Sequence, residues 1–393
     1  MLPSYYEFQN SVKILSGKNA LENIPFELRN LGAKRPLLLT DRVLYEMGLI
    51  KHVVKPLTES GIEPGGLYAD IPADSSLAVV KEIAGLYREM ECDSLIALGG
   101  GSVLDTAKGV NILVSSGKED LKELMGMEIL RHRLRPFIAI PTTAGTGSEA
   151  TLVAVVANPD QNVKMEFISY HLIPDVAVLD PRLTLSLPPR VTAATGMDAL
   201  AHAVEAYTSV QKNPVSDAYA WAAVNLIRAY LPRAVADGHD EEARLAMANA
   251  ALLAGAAFSN AMVGVVHAIG HACGGVSHVP HGVAMAVLLP YGMEYNQDKV
   301  GDAYGELLLP LAGAEVYART PLTARADKAI ACIREFGRKF QRETGLPVTL
   351  REAGVAERDL ERIATTALND GAIIANPKEV AFQDIMEILR RAF

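Results

Sequence analysis

Four of the chain's nine histidines, His267, His271, His278 and His281, fall within fifteen residues. The surrounding stretch from Val266 to Pro290, VHAIGHACGGVSHVPHGVAMAVLLP, is otherwise apolar and rich in glycine. An unpaired imidazole is costly in such a setting, so a shared task is expected of the group. Upstream, Asp198 and His202 in GMDALAHAVEAY stand four residues apart and share one face of a helix. Alone, that pair also fits an ordinary helix-surface contact. Joined to imidazoles from a second segment, it becomes a ligand set suited to a divalent metal. His271, one turn beyond His267, either completes the set or stands behind it as a proton relay. His278 reads as an exposed loop residue and Glu205 as a packing or capping group. Cys92, Cys273 and Cys332 have no ligand spacing.

Two loops offer a different chemistry. GGGSVLD, from Gly99 to Asp105, follows an apolar run and opens a helical pattern. Glycines let backbone approach a phosphate, and a helix N-terminus presents free N–H groups. The same residues also fit a plain strand-to-helix turn needing positive φ, with Ser102 and Asp105 as a capping box. The pattern is neither a Walker loop nor a full G-x-G-x-x-G. PTTAGTGSE, from Pro141 to Glu149, leaves another strand-like run. Its hydroxyls on Thr142, Thr143, Thr146 and Ser148 suit a nucleotide at the carboxyl edge of a sheet. Asp41 follows the run ending at Thr40. A carboxylate there accepts from a ribose 2′-hydroxyl and repels a 2′-phosphate, favouring NAD over NADP, but it equally fits a helix cap. Lys164, beside Val163, Met165 and Phe167, reads as a cation placed at the cofactor or as a solvated lysine.

The elements that must carry these residues differ along the chain. Up to about residue 180, apolar runs at 36–41, 66–71, 94–99, 137–141 and 176–180 alternate with helical patterns such as 43–60 and 76–90. Uniformly apolar strands are what a parallel sheet covered on both faces requires, so a doubly wound, Rossmann-like α/β domain is expected. Beyond Pro188, alanine-rich helical patterns follow at 191–209, 215–236, 240–258, 262–274 and 325–344. The expected division is a dinucleotide-binding α/β domain over 1–185 and an all-helical metal and substrate domain over 186–393.

With 393 residues, 50% of them hydrophobic and 21% charged, the chain has the composition of a folded globular protein. A formal charge of −9 argues against nucleic acid or an anionic membrane surface as partner. Three cysteines without paired spacing point to a reducing cytoplasm. The N-terminus shows no leader pattern of basic residues followed by an apolar stretch. The most membrane-like run, Leu245 to Val266, is interrupted by Asn249, Ser259 and Asn260 and reads as a tightly packed helix pair.

Five segments in order, GGGSVLDTAKG, PTTAGTGSEAT, KMEFISYHLIPDVAVLDP, TGMDALAHAVEAY and HAIGHACGGVSHVPHG, make the chain resemble the iron-containing (group III) alcohol dehydrogenases over essentially its whole length. The resemblance implies a site in a cleft between the two domains. It implies a metal, Fe2+ with Zn2+ as the alternative, on Asp198, His202, His267 and His281, following Asp-x3-His and His-x13-His spacings. It places His271 near nicotinamide and substrate, and cofactor contacts on Asp41, Gly100, Gly101, Ser102, Thr142, Thr143 and Lys164. The loop readings add Gly99, Asp105, Thr146 and Ser148. The implied activity is NAD-dependent hydride transfer between a small primary alcohol or diol and nicotinamide. In it the metal acts as a Lewis acid on the alcohol oxygen and His271 passes on the proton. The alternatives are glycerol dehydrogenase-like polyol oxidation and a lyase of the dehydroquinate-synthase type. The latter is disfavoured because 262–296 contains no Arg or Lys. A homo-oligomer is expected for such an enzyme. Two departures bear on specificity: Met285 stands where the family commonly has Asn, and His278 is an extra polar group. The segment from Ala367 to Lys378 is similar to one that closes the helical domain and reads as structural.

Overall fold

A computed structural model describes residues 3–158 and 163–393. The chain forms two compact units, one of Gln9–Leu185 and one of Ser186–Phe393 with the N-terminal residues through Phe8.

Among the described residues of the first unit nine strands form two sheets. They are β1 (Lys13–Ser16), β2 (Pro36–Leu39), β3 (Gly66–Tyr68), β4 (Ser94–Gly99), β5 (Gly126–Met127), β6 (Phe137–Pro141), β7 (Val153–Asn158), β8 (Val163–Ile168) and β9 (Val176–Leu179). Six of them make an all-parallel sheet in the order β1-β9-β6-β4-β2-β3. Successive side chains of its inner strands enter opposite cores. Leu37, Leu39, Leu95, Ala97, Phe137 and Ala139 pack on one face, and Leu38, Ile96, Leu98, Ile138, Ile140 and Val178 on the other. With both faces buried no polar alternation survives, which is why these strands read as continuous apolar runs. The expected doubly wound α/β fold is therefore present.

Some elements differ from expectation. The helical pattern at 43–60 is two helices, Arg42–Glu46 and Lys51–Glu59, broken where Gly48 turns left-handed at φ 76°. A second sheet, β5-β8-β7, was not anticipated. Its β7 buries only alternate residues, and β5 has two. Edge strand β1 is mostly exposed and lacks the apolar run that marks its neighbours.

The second unit is helical: Pro189–Thr208, Pro214–Ala236, Glu241–Ala261, Val265–Ser277, His281–Ala312, Arg325–Thr344 and shorter helices up to Phe382–Ala392. Phe8 packs its ring on Tyr219 of this unit at 5.4 Å. Arg244 is buried and anchors the start of the Pro189–Thr208 helix, donating to Leu187 O at 3.0 Å and Thr192 Oγ1 at 2.7 Å. Among the described residues no single helix is long and apolar enough to cross a membrane. The pair Glu241–Ala261 and Val265–Ser277 passes on length and composition, bent by 105°. Alanine is the commonest residue of the first helix, and eight of its alanines are buried, as the packed-pair reading expects.

Small residues set how closely these helices approach. A Cβ on Gly282 would lie 2.6 Å from Ala194 O, a main-chain atom of the Pro189–Thr208 helix. The helix that begins at His281 therefore rests on the backbone of the helix that carries Asp198. Gly282→Ala is expected to cost about 1–3 kcal/mol of stability through overpacking. Chemical denaturation checks this; an unchanged midpoint would show that the contact relaxes without strain.

Candidate active site

Asp198 and His202 come from the middle of the Pro189–Thr208 helix, His267 from the first turn of Val265–Ser277, and His281 from the first residue of His281–Ala312. Ligand-type atoms of these four residues all lie within 4.8 Å of one another. Asp198 Oδ1 sits 3.2 Å from His281 Nε2, and 3.9 Å from both His202 Nδ1 and His267 Nε2. Asp198, His202 and His267 are buried and His281 is partly open. Asp198 Oδ1, His202 Nδ1 and His267 Nε2 have no hydrogen-bond partner among the described residues, although each is shielded from water. Orphaned polar atoms of this kind cost about 1–3 kcal/mol apiece. Together with a His281 nitrogen they lie within 4.8 Å of one another, close enough for one shared cation. The residues present therefore suit a divalent metal.

The electrostatics favour the metal-ready state. Burial pushes Asp198 up, but the imidazoles of His281, His202 and His267 outweigh it and hold the carboxyl well below its usual range. Burial pushes His202 down to about 3 and His267 well below its ordinary value. His202 and His267 are thus neutral and the Asp198 carboxylate charged, as ligands must be.

Two carboxylates behind the histidines were not read as functional from the sequence. Glu205, one turn along from His202, lies 2.5 Å from His267 Nδ1 and accepts from the backbone N–H groups of Val266 at 2.8 Å and His267 at 3.3 Å. It thereby caps the helix and orients the ring, leaving Nε2 as the ligand nitrogen. Burial pushes Glu205 up to about 7 against those N–H bonds. Asp370 Oδ2 lies 2.8 Å from His271 Nδ1. Burial works to raise Asp370, but its bond with His271 leaves it lower than usual. His271 stacks on His281 with ring centroids 5.4 Å apart, outside the four-residue group. Phe258 stacks on His202 at 4.3 Å.

The glycine loop in the first unit follows a different logic from a left-handed turn. Gly99, Gly100 and Gly101 all avoid positive φ. Glycine is required at Gly101 by space, since a Cβ there would come within 2.9 Å of Thr146 Cγ2. The two loops therefore touch, with Gly100 and Gly101 lying against Thr143 and Thr146. Thr142 N–H donates to Gly99 O at 3.1 Å. The expected capping box is absent, because the helix starts at Gly101 with Gly100 as its cap and no side-chain bond there. Ser102 donates instead to Ala73 O. Asp105 accepts from Ser148 Oγ at 2.7 Å and Val155 N at 3.2 Å, so it ties one loop to the other. Asp41 is a helix cap, accepting from Leu44 N at 2.9 Å through one carboxylate oxygen. Lys164 is exposed on β8, with its charge in reach of Asp105.

Comparison with known proteins gives this geometry its context. A family model described as iron-containing alcohol dehydrogenase matches residues 11–181, and one for the C-terminal part of the Fe-containing alcohol dehydrogenase family matches 192–393. The chain belongs to the iron-containing alcohol dehydrogenase family. It is 39% identical over 379 residues to 1,3-propanediol dehydrogenase of Klebsiella pneumoniae, covering 96% of each chain. It is 36% identical to the NAD-dependent methanol dehydrogenase of Bacillus methanolicus over 96% of this chain and 97% of that one. A crystal structure of 1,3-propanediol oxidoreductase superposes with a TM-score of 0.94 at 37% identity, over 99% of this chain and 100% of the other. The protein is accordingly an alcohol dehydrogenase, a nicotinamide- and metal-dependent oxidoreductase. The lyase and glycerol dehydrogenase-like alternatives are not favoured.

Within this alcohol dehydrogenase the two departures from the family pattern have plain structural accounts. Met285 is fully buried, and its methyl occupies the space where a Cβ on Gly270 would stand. It packs one histidine-bearing helix on the other. His278 is exposed and closes the Val265–Ser277 helix in a left-handed conformation at φ 55°.

Glu205→Gln is expected to weaken divalent-metal binding by about 10–100-fold, the usual effect of losing a partner behind a ligand. Calorimetric titration of the stripped protein with Zn2+ reads it directly. Wild-type affinity in the variant would show that Glu205 only caps the helix.

Proposed function

We propose that this alcohol dehydrogenase uses NAD to oxidise a small primary alcohol or diol, and in reverse reduces the aldehyde, at the Asp198–His202–His267–His281 centre. The observation that carries this reading is the set of buried, partnerless ligand atoms converging within 4.8 Å. When bound, the metal would supply Lewis-acid polarisation of the substrate oxygen and the nicotinamide the hydride acceptor. The apolar surroundings of the histidine segment support a small aliphatic substrate, and the printed substrates of the relatives, methanol and 1,3-propanediol, fall in the same class.

The chain's own residues take the remaining tasks. The α/β unit binds the dinucleotide and the helical unit binds metal and substrate. Gly99, Gly100, Gly101 and Ser102 open a helix whose N–H groups receive the diphosphate. Thr142, Thr143, Thr146 and Lys164 contact the cofactor, while Asp105 and Ser148 hold the two loops in register. Asp41 accepts from the adenosine ribose with the carboxylate oxygen that is not spent on its cap. His271 accepts the proton that the alcohol loses with its hydride. We further propose a cytoplasmic homo-oligomer: the three cysteines are free thiols, suited to a reducing compartment, and self-association is common among soluble enzymes.

NADH formation across a panel of primary alcohols and diols tests the activity. Turnover is expected after the chelator-stripped protein regains Fe2+ or Zn2+, and to be lost in His267→Ala with NAD affinity retained. Full turnover in a metal-free mutant would overturn the reading. Asp41→Ala is expected to raise NADP use relative to NAD on the order of tenfold, about 1.4 kcal/mol of relieved repulsion. An unchanged ratio would leave Asp41 as a cap alone.

A further inference from the structure

We propose that Asn376 is a positioning residue of the metal centre: its side-chain amide, which supplies no ligand, sets where the three ligand-bearing helices meet. The proposal rests on the Asp198–His202–His267–His281 reading and deepens it.

The Val265–Ser277 helix cannot cap itself. Its N-cap is Gly264, which has no side chain to offer the free N–H groups of the first turn. The chain also enters this turn under strain, because Met262 is left-handed at φ 62° without being glycine. Side chains from elsewhere make up the loss. Glu205 takes the N–H groups of Val266 and His267, and Asn376 Oδ1 takes that of Val265 at 3.1 Å. Gly264 leaves room for both, since a Cβ there would lie 2.7 Å from Asn376 Oδ1 and 3.0 Å from Glu205 Oε1. The turn so held is the one that carries His267.

The same amide reaches the helix that begins at His281. Asn376 is buried and exchanges two 2.9 Å bonds with Asn296 of the His281–Ala312 helix. Its second N–H donates to Lys378 O at 2.7 Å. A primary amide has two donor hydrogens and two acceptor lone pairs, and here all are used. That leaves the group one orientation, which neither a carboxylate nor an apolar side chain of similar size reproduces. Next to it, Ala375 O accepts from Val210 N at 3.0 Å, just beyond the Pro189–Thr208 helix that carries Asp198 and His202. Two consecutive residues thus bond to all three chain segments that deliver ligands. A segment that merely closed the fold could do so through apolar contact, which lets helices slide; a fully bonded amide fixes their register.

The test is Asn376→Leu, which keeps the volume and removes the amide, with Asn296→Ala as a milder second variant that loosens the same pair. Zn2+ titration of the chelator-stripped protein and visible absorption of the Co2+-loaded protein read the centre without reference to turnover. Asn376→Leu is expected to bind Zn2+ about 10–100-fold more weakly and to shift the Co2+ bands, with NAD affinity kept at the wild-type value. Asn296→Ala is expected to change both metal readouts in the same direction by less. Wild-type Zn2+ affinity and Co2+ bands in Asn376→Leu, or in Asn296→Ala where the first variant does not fold, would overturn the proposal whatever the Tm. A loss of NAD affinity as large as that for Zn2+ would overturn it too, as general loosening. A wild-type protein that holds no Zn2+ would instead overturn the reading of the centre itself, a failure told apart because it needs no variant.

Discussion

Burying a carboxylate and two imidazoles among alanines, with a third imidazole partly open beside them, is the constraint around which the helical unit is arranged. Ionisable groups leave water at a cost of several kcal/mol each unless something in the interior satisfies them. Asp198, His202 and His267 are buried, and each leaves one atom unsatisfied toward the same point. A divalent cation there would convert the least favourable part of the interior into its most strongly held part. Small residues are the means of convergence. Gly282 brings the turn carrying His281 onto the backbone beside Asp198, and Gly270 admits Met285 between two histidine-bearing helices. Glu205 then fixes the ring of His267.

The α/β unit also uses small residues to bring its functional segments together. Its two loops leave adjacent parallel strands, β4 and β6, and touch because glycines on one make room for threonines on the other. Behind them lies a buried ionic network. Lys108 spends its ammonium on Thr151 O, Thr151 Oγ1 and Val153 O, at 2.8–2.9 Å, and burial pushes it down to about 8. Burial likewise raises Asp105, and pushes Glu149 up to about 7. The polar residues of the GGGSVLDTAKG segment are thus divided between the loop surface, where Gly100 and Gly101 lie, and a framework that locks the second loop and β7 in place.

Much of this was legible in the sequence because its causes are local. A strand buried on both faces must be apolar throughout, so β2, β4, β6 and β9 stand out in the chain. A metal nest needs several donors in a poor setting for donors, so Asp198, His202, His267 and His281 were visible as a group. What escaped was what depends on distant partners. Glu205 meets His267 across 62 residues of sequence and Asp370 meets His271 across 99. Each looks like an ordinary cap until its partner is placed. The capping box at Ser102 and Asp105 failed for the same reason, since Asp105 had a better use 43 residues away on Ser148. The helix His281–Ala312 was missed because it contains Pro290 and Pro310, which are poor helix residues, and starts within a glycine-rich turn.

The central claim is that four side chains of the helical unit hold one divalent ion. The most direct measurement is metal K-edge X-ray absorption on stripped protein given one equivalent of Zn2+, combined with counting the ions retained after gel filtration. The account predicts one ion per chain with a shell of nitrogen and oxygen donors at about 2.0–2.2 Å and the scattering of three imidazoles. That shell should lose one imidazole in His202→Ala. A sulfur-containing shell, a stoichiometry far from one, or a shell unchanged by that substitution would contradict it.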